Sequence, residues 1–282
     1  MKIKSVKLVT FSPTGNSTKI AKAVAKGIGA PFEHIDITSP KIQTQTLEEF
    51  KDELTIIAAP VYVGRVPYEV ARRIRKMKAN NTPAILLVTY GNRAFEDSLF
   101  ELSDIVSEVY FKPIAAGAFI GEHSWSVPET PLAQGRPSTE DLEKAKKFGE
   151  EIHEKISAAK NADDLSIVKI PGANPYTLRA NRYDPGALMS PFTDESLCTK
   201  CGKCVDVCPV GAVQIDDVVS DLSPRVGVTT KIVNTEASVC VWCAACVREC
   251  PVNARVRRPR MLEVSARLSN MYSEYKEPET YL

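Results

Sequence analysis

Apolar runs of strand length alternate with helix-period segments through the first 160 residues. VKLVTF (6–11), FEHIDIT (32–38), LTIIAAPVY (54–62), AILLVTY (84–90) and PIAAGAFIG (113–121) read as strands. TKIAKAVAKGIG (18–29), PYEVARRIRKMK (67–78), FEDSLFELSDIVSEVY (95–110) and STEDLEKAKKFGEEIHEKISAA (138–159) read as helices. Ile20, Val24 and Ile28 recur every fourth residue and so share one helical face. Ser138, followed by Asp141 with Glu140 and Glu143 nearby, marks a helix start whose charges suit the N-terminal dipole. Five strands alternating with helices predict a doubly wound α/β domain over 1–160, because right-handed crossovers lay helices on both faces of a parallel sheet. In such sheets ligands bind at the carboxyl ends of the strands, where strand order reverses.

The rhythm breaks from Asn161 to Pro191, where Pro171, Pro175, Pro185 and Pro191 fall with Gly172 and Gly186. This is an interdomain connector, within which LSIVKI (165–170) is a possible edge strand. Residues 192–260 form a second, cysteine-rich domain, and 261–282 read as a helix and tail able to pack on either domain.

A net charge of +1 provides no positive field to draw in nucleic acid. No run of about 18 apolar residues exists to cross a membrane, and MKIKSVKLVTF is interrupted too soon for a signal peptide. A cytoplasmic protein is expected. All eight cysteines fall between Cys198 and Cys250, which is a metal-site distribution rather than a disulfide scaffold.

Three loops are expected to cluster at the carboxyl edge of the sheet: SPTGNST (12–18), PVYVGRVP (60–67) and TYGNRAFED (89–97). The first has no Lys and no G-x-x-x-x-G-K-[ST] pattern, which excludes the usual triphosphate loop. Gly15 permits a positive φ, while hydroxyls, the Asn16 amide and the unpaired N–H groups of a helix start suit a phosphate monoester. The segment FSPTGNST, between a first strand and a first helix, resembles the phosphate loop of flavodoxins. That resemblance covers 1–160 and implies a five-stranded sheet of order 2-1-3-4-5 holding FMN. It implies that Ser12, Thr14, Gly15, Asn16, Ser17 and Thr18 bind the phosphate. Pro60, Tyr62, Val63, Gly64, Tyr90, Gly91 and Asn92 would border the ring, Tyr62 and Tyr90 stacking on it unless they merely finish their strands.

Flavodoxins tend to be acidic around the flavin, whereas here Arg65 follows the second loop and RRIRK (72–76) lies just beyond. A cation at the ring would raise the flavin potential; Arg72, Arg73 and Arg75 are read as a solvated helix face. In GEHSWS (121–126), Glu122, His123 and Ser124 lie either at the flavin edge or at the interdomain seam, and His123 is a candidate proton relay. A turn that satisfies its own backbone is the other reading. Arg65, Glu122 and His123 are thus the catalytic candidates, while His34 and His153 read as structural.

CTKCGKCVDVCP (198–209) and CVWCAACVRECP (240–251) both spell C-x2-C-x2-C-x3-C-P, the ligand run of bacterial two-cluster ferredoxins. In that run the fourth cysteine serves the other cluster. One 4Fe-4S cluster would therefore take Cys198, Cys201, Cys204 and Cys250, and the other Cys240, Cys243, Cys246 and Cys208. Zinc would leave the third and fourth cysteines of each run without a purpose. Thirty-one residues separate Cys208 from Cys240, so the intervening hairpin carries an insertion over roughly 216–234. Trp242 either shields a sulfur, docks on the first domain or packs a core. RVRRPR (255–260) is read as docking an acidic carrier or as solvated surface, rather than as a nucleic-acid site.

The whole chain resembles fusions of a flavodoxin-like domain with a small α+β two-cluster ferredoxin domain. That resemblance implies FMN and two 4Fe-4S clusters coupling one-electron carriers to two-electron flavin chemistry. No G-x-G-x-x-G appears for a nicotinamide cofactor, so a protein partner such as a ferredoxin is expected. The alternative is a ferredoxin-dependent flavin reductase of a small molecule, which an open pocket over the ring would favour; a ring capped by the second domain would favour a relay. An oxygen sensor is a weaker third reading.

Overall fold

The computed structural model describes residues 1–44, 49–51, 53–177, 186–219 and 229–282. Pro185 of the connector and residues 220–228 of the insertion lie outside the described residues.

β1 (Val6–Thr10), β2 (Phe32–Asp36), β3 (Leu54–Pro60), β4 (Thr82–Tyr90) and β5 (Phe111–Ile120) pair in parallel in the order 2-1-3-4-5. This is the flavodoxin-like arrangement. All nine residues of β4 are buried, as befits a strand covered on both faces. Alternate side chains feed two cores. Leu8, Ile56 and Ile85 pack with α1 (Asn16–Ile28) and α4 (Thr139–Ala158). Val9, Ile57 and Leu86 pack with α2 (Tyr68–Ile74) and α3 (Ser98–Ser107). Ile20, Val24 and Ile28 do share the buried face of α1. Two glycines allow α1 and α4 to touch: a Cβ on Gly27 would lie 1.9 Å from the Lys146 carbonyl oxygen, and one on Gly149 would lie 2.1 Å from that of Val24. Ser138 and Asp141 form a reciprocal capping box at the start of α4.

The sheet has a sixth strand that the hydrophobic pattern does not announce. LSIVKI does not join the edge; it makes one ladder-like bond there, from Val168 N–H to the Pro113 carbonyl at 2.9 Å. Pro113 has no N–H to return, so pairing cannot propagate from that point. Instead β8 (Glu279–Tyr281) runs antiparallel to β5 through Ala116–Ala118. The connector is nonetheless anchored, since Leu165 and Val168 enter the two cores.

In the second half, β6 (Val213–Val219) pairs antiparallel with β7 (Thr229–Thr235), and Phe192–Thr193 pairs with Arg255–Val256. Single helical turns, Lys203–Asp206 and Ala245–Arg248, carry Cys204 and Cys246. α5 (Pro259–Met271) begins with proline at its first position, where no donor is lost. The tail after α5 lies across the first domain. Asn92 Nδ2 donates to the Tyr272 and Glu274 carbonyls at 2.8 Å each, Lys276 bonds the Arg93 carbonyl, and Arg136 stacks on Tyr275 at 4.4 Å.

Arg73 departs from the expected solvated face. It is 1% exposed and lies 5.1 Å over the Phe11 ring. Nη1 donates to the Ile37 and Thr38 carbonyls at 2.5 and 2.7 Å, and Nη2 to the Pro209 carbonyl at 2.5 Å. A planar fork can satisfy carbonyls of two domains at once. Arg72 and Arg75 stay at the surface, paired with Glu69 and Glu108.

Candidate functional site

The three loops meet around a cavity of about 270 Å³. At one end lies the loop before α1. Gly15 sits at the helix N-cap with φ 85° and has no side chain to cap the helix, and with Thr18 N–H taken by Ser12 Oγ the N–H groups of Asn16 and Ser17 stay available to an anion. Ser12, Thr14, Asn16 and Ser17 line the cavity. Gly15 and Thr18 do not; they shape the loop. Thr18 N–H donates to Ser12 Oγ at 3.2 Å, and the Thr18 hydroxyl bonds that of Thr10 at 2.9 Å.

Pro60, Tyr62, Val63, Tyr90 and Gly91 also line the cavity. Tyr62 and Arg65 close a tight turn by exchanging backbone hydrogen bonds of 3.0 and 3.1 Å. The turn holds Val63 at φ 54° and Gly64 at φ 77°. A β-branched residue with positive φ is strained, and here the strain leaves Val63 at the cavity mouth, 40% exposed. Tyr90 lines the cavity and packs on Phe95 at 5.4 Å; burial pushes its hydroxyl pKa up to about 12.

Gly64, Asn92 and Arg65 are not brought to the cavity. Asn92 holds the C-terminal tail, and Arg65 forms a two-pronged pair with Glu101 at 2.8 and 2.6 Å. The cation at the cavity is Arg93, bonded to Glu96 at 2.8 Å. Arg93 lay within the third loop, but nothing in the sequence distinguished it from Arg65 before Glu101 was known to claim the latter.

GEHSWS is both cavity wall and interdomain seam. Glu122, His123, Ser124 and Trp125 line the cavity. Glu122 accepts from Arg248 at 2.9 Å, the Ser124 carbonyl accepts from Arg257 at 3.3 Å, and Trp125 Nε1 donates to the Trp242 carbonyl at 2.7 Å. His123 Nδ1 accepts the Trp125 N–H at 3.1 Å, so in the neutral ring Nε2 carries the proton. Burial, then Arg248 and Arg93, lower the His123 pKa to about 4, and the ring is neutral at pH 7. His34 and His153 bond Thr10 and the Ile28 carbonyl, as structural histidines do.

The far walls come from the second half of the chain. Val241 and Trp242, inside the second cysteine run, face Val264 and Leu268 of α5. Trp125, Val264 and Leu268 escaped the sequence reading, because their placement depends on how the two domains dock. Three lining residues, Thr89, Arg93 and Trp242, carry buried polar atoms (Oγ1, Nη2 and Nε1) that find no partner among the described residues. Such orphans point to a bound ligand. A hydroxyl-lined helix start at one end and tyrosine, tryptophan and aliphatic walls at the other fit FMN.

Cys208, Cys240, Cys243 and Cys246 line a second, smaller cavity with Pro209, Val210, Val213 and Val241. The fourth cysteine of the first run thus sits with the first three of the second. Burial pushes the Cys240, Cys243 and Cys246 thiols up, so retaining them as thiolates there calls for bound cations. Cys208 Sγ accepts the Ala212 N–H at 3.1 Å. The donor set and dry walls fit an iron–sulfur cluster. Of the other four, Cys201 is exposed, Cys198 and Cys250 are half-buried, and Cys204 is buried. Val241 belongs to the walls of both cavities.

Residues 197–254 match the family described as a 4Fe-4S dicluster domain. No curated protein matches the chain. An archaeal flavodoxin is similar in structure at 13% identity, covering 54% of this chain and 99% of its own, with a TM-score of 0.37. A flavodoxin of Streptococcus pneumoniae TIGR4 gives 18%, 54%, 99% and 0.35. The rubredoxin oxygen:oxidoreductase of Desulfovibrio gigas gives 15%, 55%, 36% and 0.40. Scores this low carry no argument, and the flavodoxin-like fold rests on the strand order. No helix among the described residues is long and apolar enough to cross a membrane.

Proposed function

We propose that this fusion of a flavodoxin-like α/β domain with a 4Fe-4S dicluster domain is an iron–sulfur flavoprotein that relays electrons between its clusters and FMN. Clusters exchange electrons singly and FMN takes one or two, so the bound pair couples one-electron carriers to two-electron chemistry.

In this reading Ser12, Thr14, Asn16 and Ser17, with the open start of α1, hold the phosphate. Tyr62, Tyr90, Trp125 and Trp242 border the ring. Cys208, Cys240, Cys243 and Cys246 ligate the inner cluster, and Cys198, Cys201, Cys204 and Cys250 the outer one. His123, neutral at pH 7, offers its Nε2 proton toward the cavity as a hydrogen bond. Glu122, already taken by Arg248, is a seam residue rather than a free acid.

The observation that carries the reading is Val241. One residue of the second cysteine run serves as the wall between the two cavities, so the inner cluster and the ring would lie within a side chain of each other. The same run and α5 supply one wall of the cavity, which supports a relay over a reductase whose ring faces only its own domain and solvent. The physiological donor in this reading is a soluble one-electron carrier protein that docks at the outer cluster, beside the exposed Cys201.

Rapid anaerobic mixing of the holo-protein with a one-electron reductant tests this. Bleaching at the cluster wavelengths should precede the loss of flavin absorbance, at a second rate independent of protein concentration. A flavin phase proportional to protein concentration would mean transfer between molecules and would overturn the relay.

A further inference from the structure

The two cysteine runs stay in register beyond their fourth cysteines, as CPVGAV over 208–213 and CPVNAR over 250–255. Pro209 answers to Pro251, Val210 to Val252 and Ala212 to Ala254. At the next position the repeat breaks: Val213 has Arg255 as its counterpart. Both are buried, at 2% and 3% exposure. A guanidinium in a slot that the repeat fills with valine is costly unless its charge is used.

The partners of Arg255 show where that charge is directed. Nη1 donates to Thr193 Oγ1 at 2.6 Å, and Nη2 to Thr235 Oγ1 at 2.6 Å and the Pro191 carbonyl at 3.1 Å. Nη2 also approaches Cys246 Sγ at 3.7 Å. None of these oxygen partners is a carboxylate, so the cation is held by neutral groups against a cysteine sulfur. Its charge reaches Cys204 and Cys250 as well, and its backbone N–H serves Cys250, while the guanidinium hydrogen bond falls on Cys246.

We propose that Arg255 raises the reduction potential of the cluster ligated by Cys246, the one beside the flavin cavity. This rests on the reading of Cys246 as a cluster ligand. One-electron reduction adds one negative charge to the cluster–thiolate unit, with no bond made or broken. A fixed positive charge in dry surroundings favours the more negative form, and a hydrogen bond to the sulfur acts in the same direction. Val213 supplies neither at the equivalent place.

The test is a dithionite titration of anaerobically purified Arg255→Gln, Arg255→Lys and wild-type holo-protein, followed by electron paramagnetic resonance with iron and sulfide counted. In Arg255→Gln one cluster midpoint should shift negative, by about tenfold in its reduction equilibrium, and the other by less. Arg255→Lys, which keeps the charge, should stay near wild type. Fully loaded Arg255→Gln with both midpoints unmoved would overturn the proposal, as would Arg255→Lys falling as far as Arg255→Gln, which would mark the fork as structural. Should Gln prevent cluster loading, Arg255→Met fills the slot without a polar group and is read the same way. Wild-type protein without two cluster signals would overturn the ligand reading itself, and the proposal with it.

Discussion

Trp125 Nε1 donates to the backbone carbonyl of Trp242 at 2.7 Å, joining the turn after the last parallel strand to the loop inside the second cysteine run. Both indoles line the cavity. The bond therefore sets how closely the cluster loop approaches the ring site, and a neutral bond of this kind contributes about 1 kcal/mol. Trp125→Phe keeps the apolar wall and removes the donor. Cluster and flavin content should stay at wild-type levels while the concentration-independent flavin phase slows several-fold in rapid mixing. An unchanged rate would show that the seam is held by its other contacts alone.

Gly15→Val tests the phosphate loop. A Cβ at Gly15 would meet nothing within 4 Å, so the substitution introduces no clash. What it opposes is the φ of 85°, at a cost of roughly 1–2 kcal/mol for a side-chain-bearing residue, and more for a β-branched one. The loop should relax away from the geometry that aims the helix N–H groups. Flavin retention is expected to fall at least tenfold, with iron content intact, as read by the flavin-to-iron ratio after gel filtration. Full retention would remove the phosphate from this loop.

The layering was legible because β3, β4 and β5 are long apolar runs that a parallel sheet covers on both faces, while the strand order followed from the resemblance of FSPTGNST to the flavodoxin phosphate loop. The cysteine runs were legible because their spacing is itself the chemistry. What the sequence hid depends on docking between distant segments. RRIRK has the pattern of a wet helix face, and only the arrival of Pro209 turns Arg73 into a buried clamp. ETY at the C-terminus is too short to carry a strand signal, and its pairing exists because β5 presents a free edge. Arg65 and Arg93 are alike in sequence; Glu101, on α3, decides that Arg93 serves the cavity.

His123 makes stability depend on pH. Its folded pKa is about 4, below the ordinary 6.5, because burial and the neighbouring Arg248 and Arg93 oppose a charged ring. Between those two values the unfolded chain binds a proton that the folded one does not. Stability from this group is thus complete above pH 6.5 and declines as pH falls toward 4. In His123→Asn this contribution is absent. The wild-type melting temperature, relative to the variant, should drop as the buffer is taken from pH 7 to 5, with the flavin and clusters monitored for retention. A gap that stays constant over that range would mean that His123 protonates freely in the folded protein.

Asn92 is one of the residues by which the first domain holds the tail, beside Arg93 and Arg136. It is 3% exposed, and its amide donates to two successive-turn carbonyls, Tyr272 and Glu274. These bonds lie just beyond Leu268, which covers the cavity from α5. Asn92→Ala removes two half-buried hydrogen bonds, a loss of about 1 kcal/mol each, and loosens the segment between α5 and β8. The covering helix should then lift more often. Flavin should dissociate several-fold faster on dilution and be quenched more strongly by iodide, while the cysteine runs, which Asn92 does not touch, keep their iron. If quenching and dissociation match wild type, the helix is held by Ser265 and Ser269 on the Trp125 and Pro131 carbonyls, and the tail bonds are dispensable.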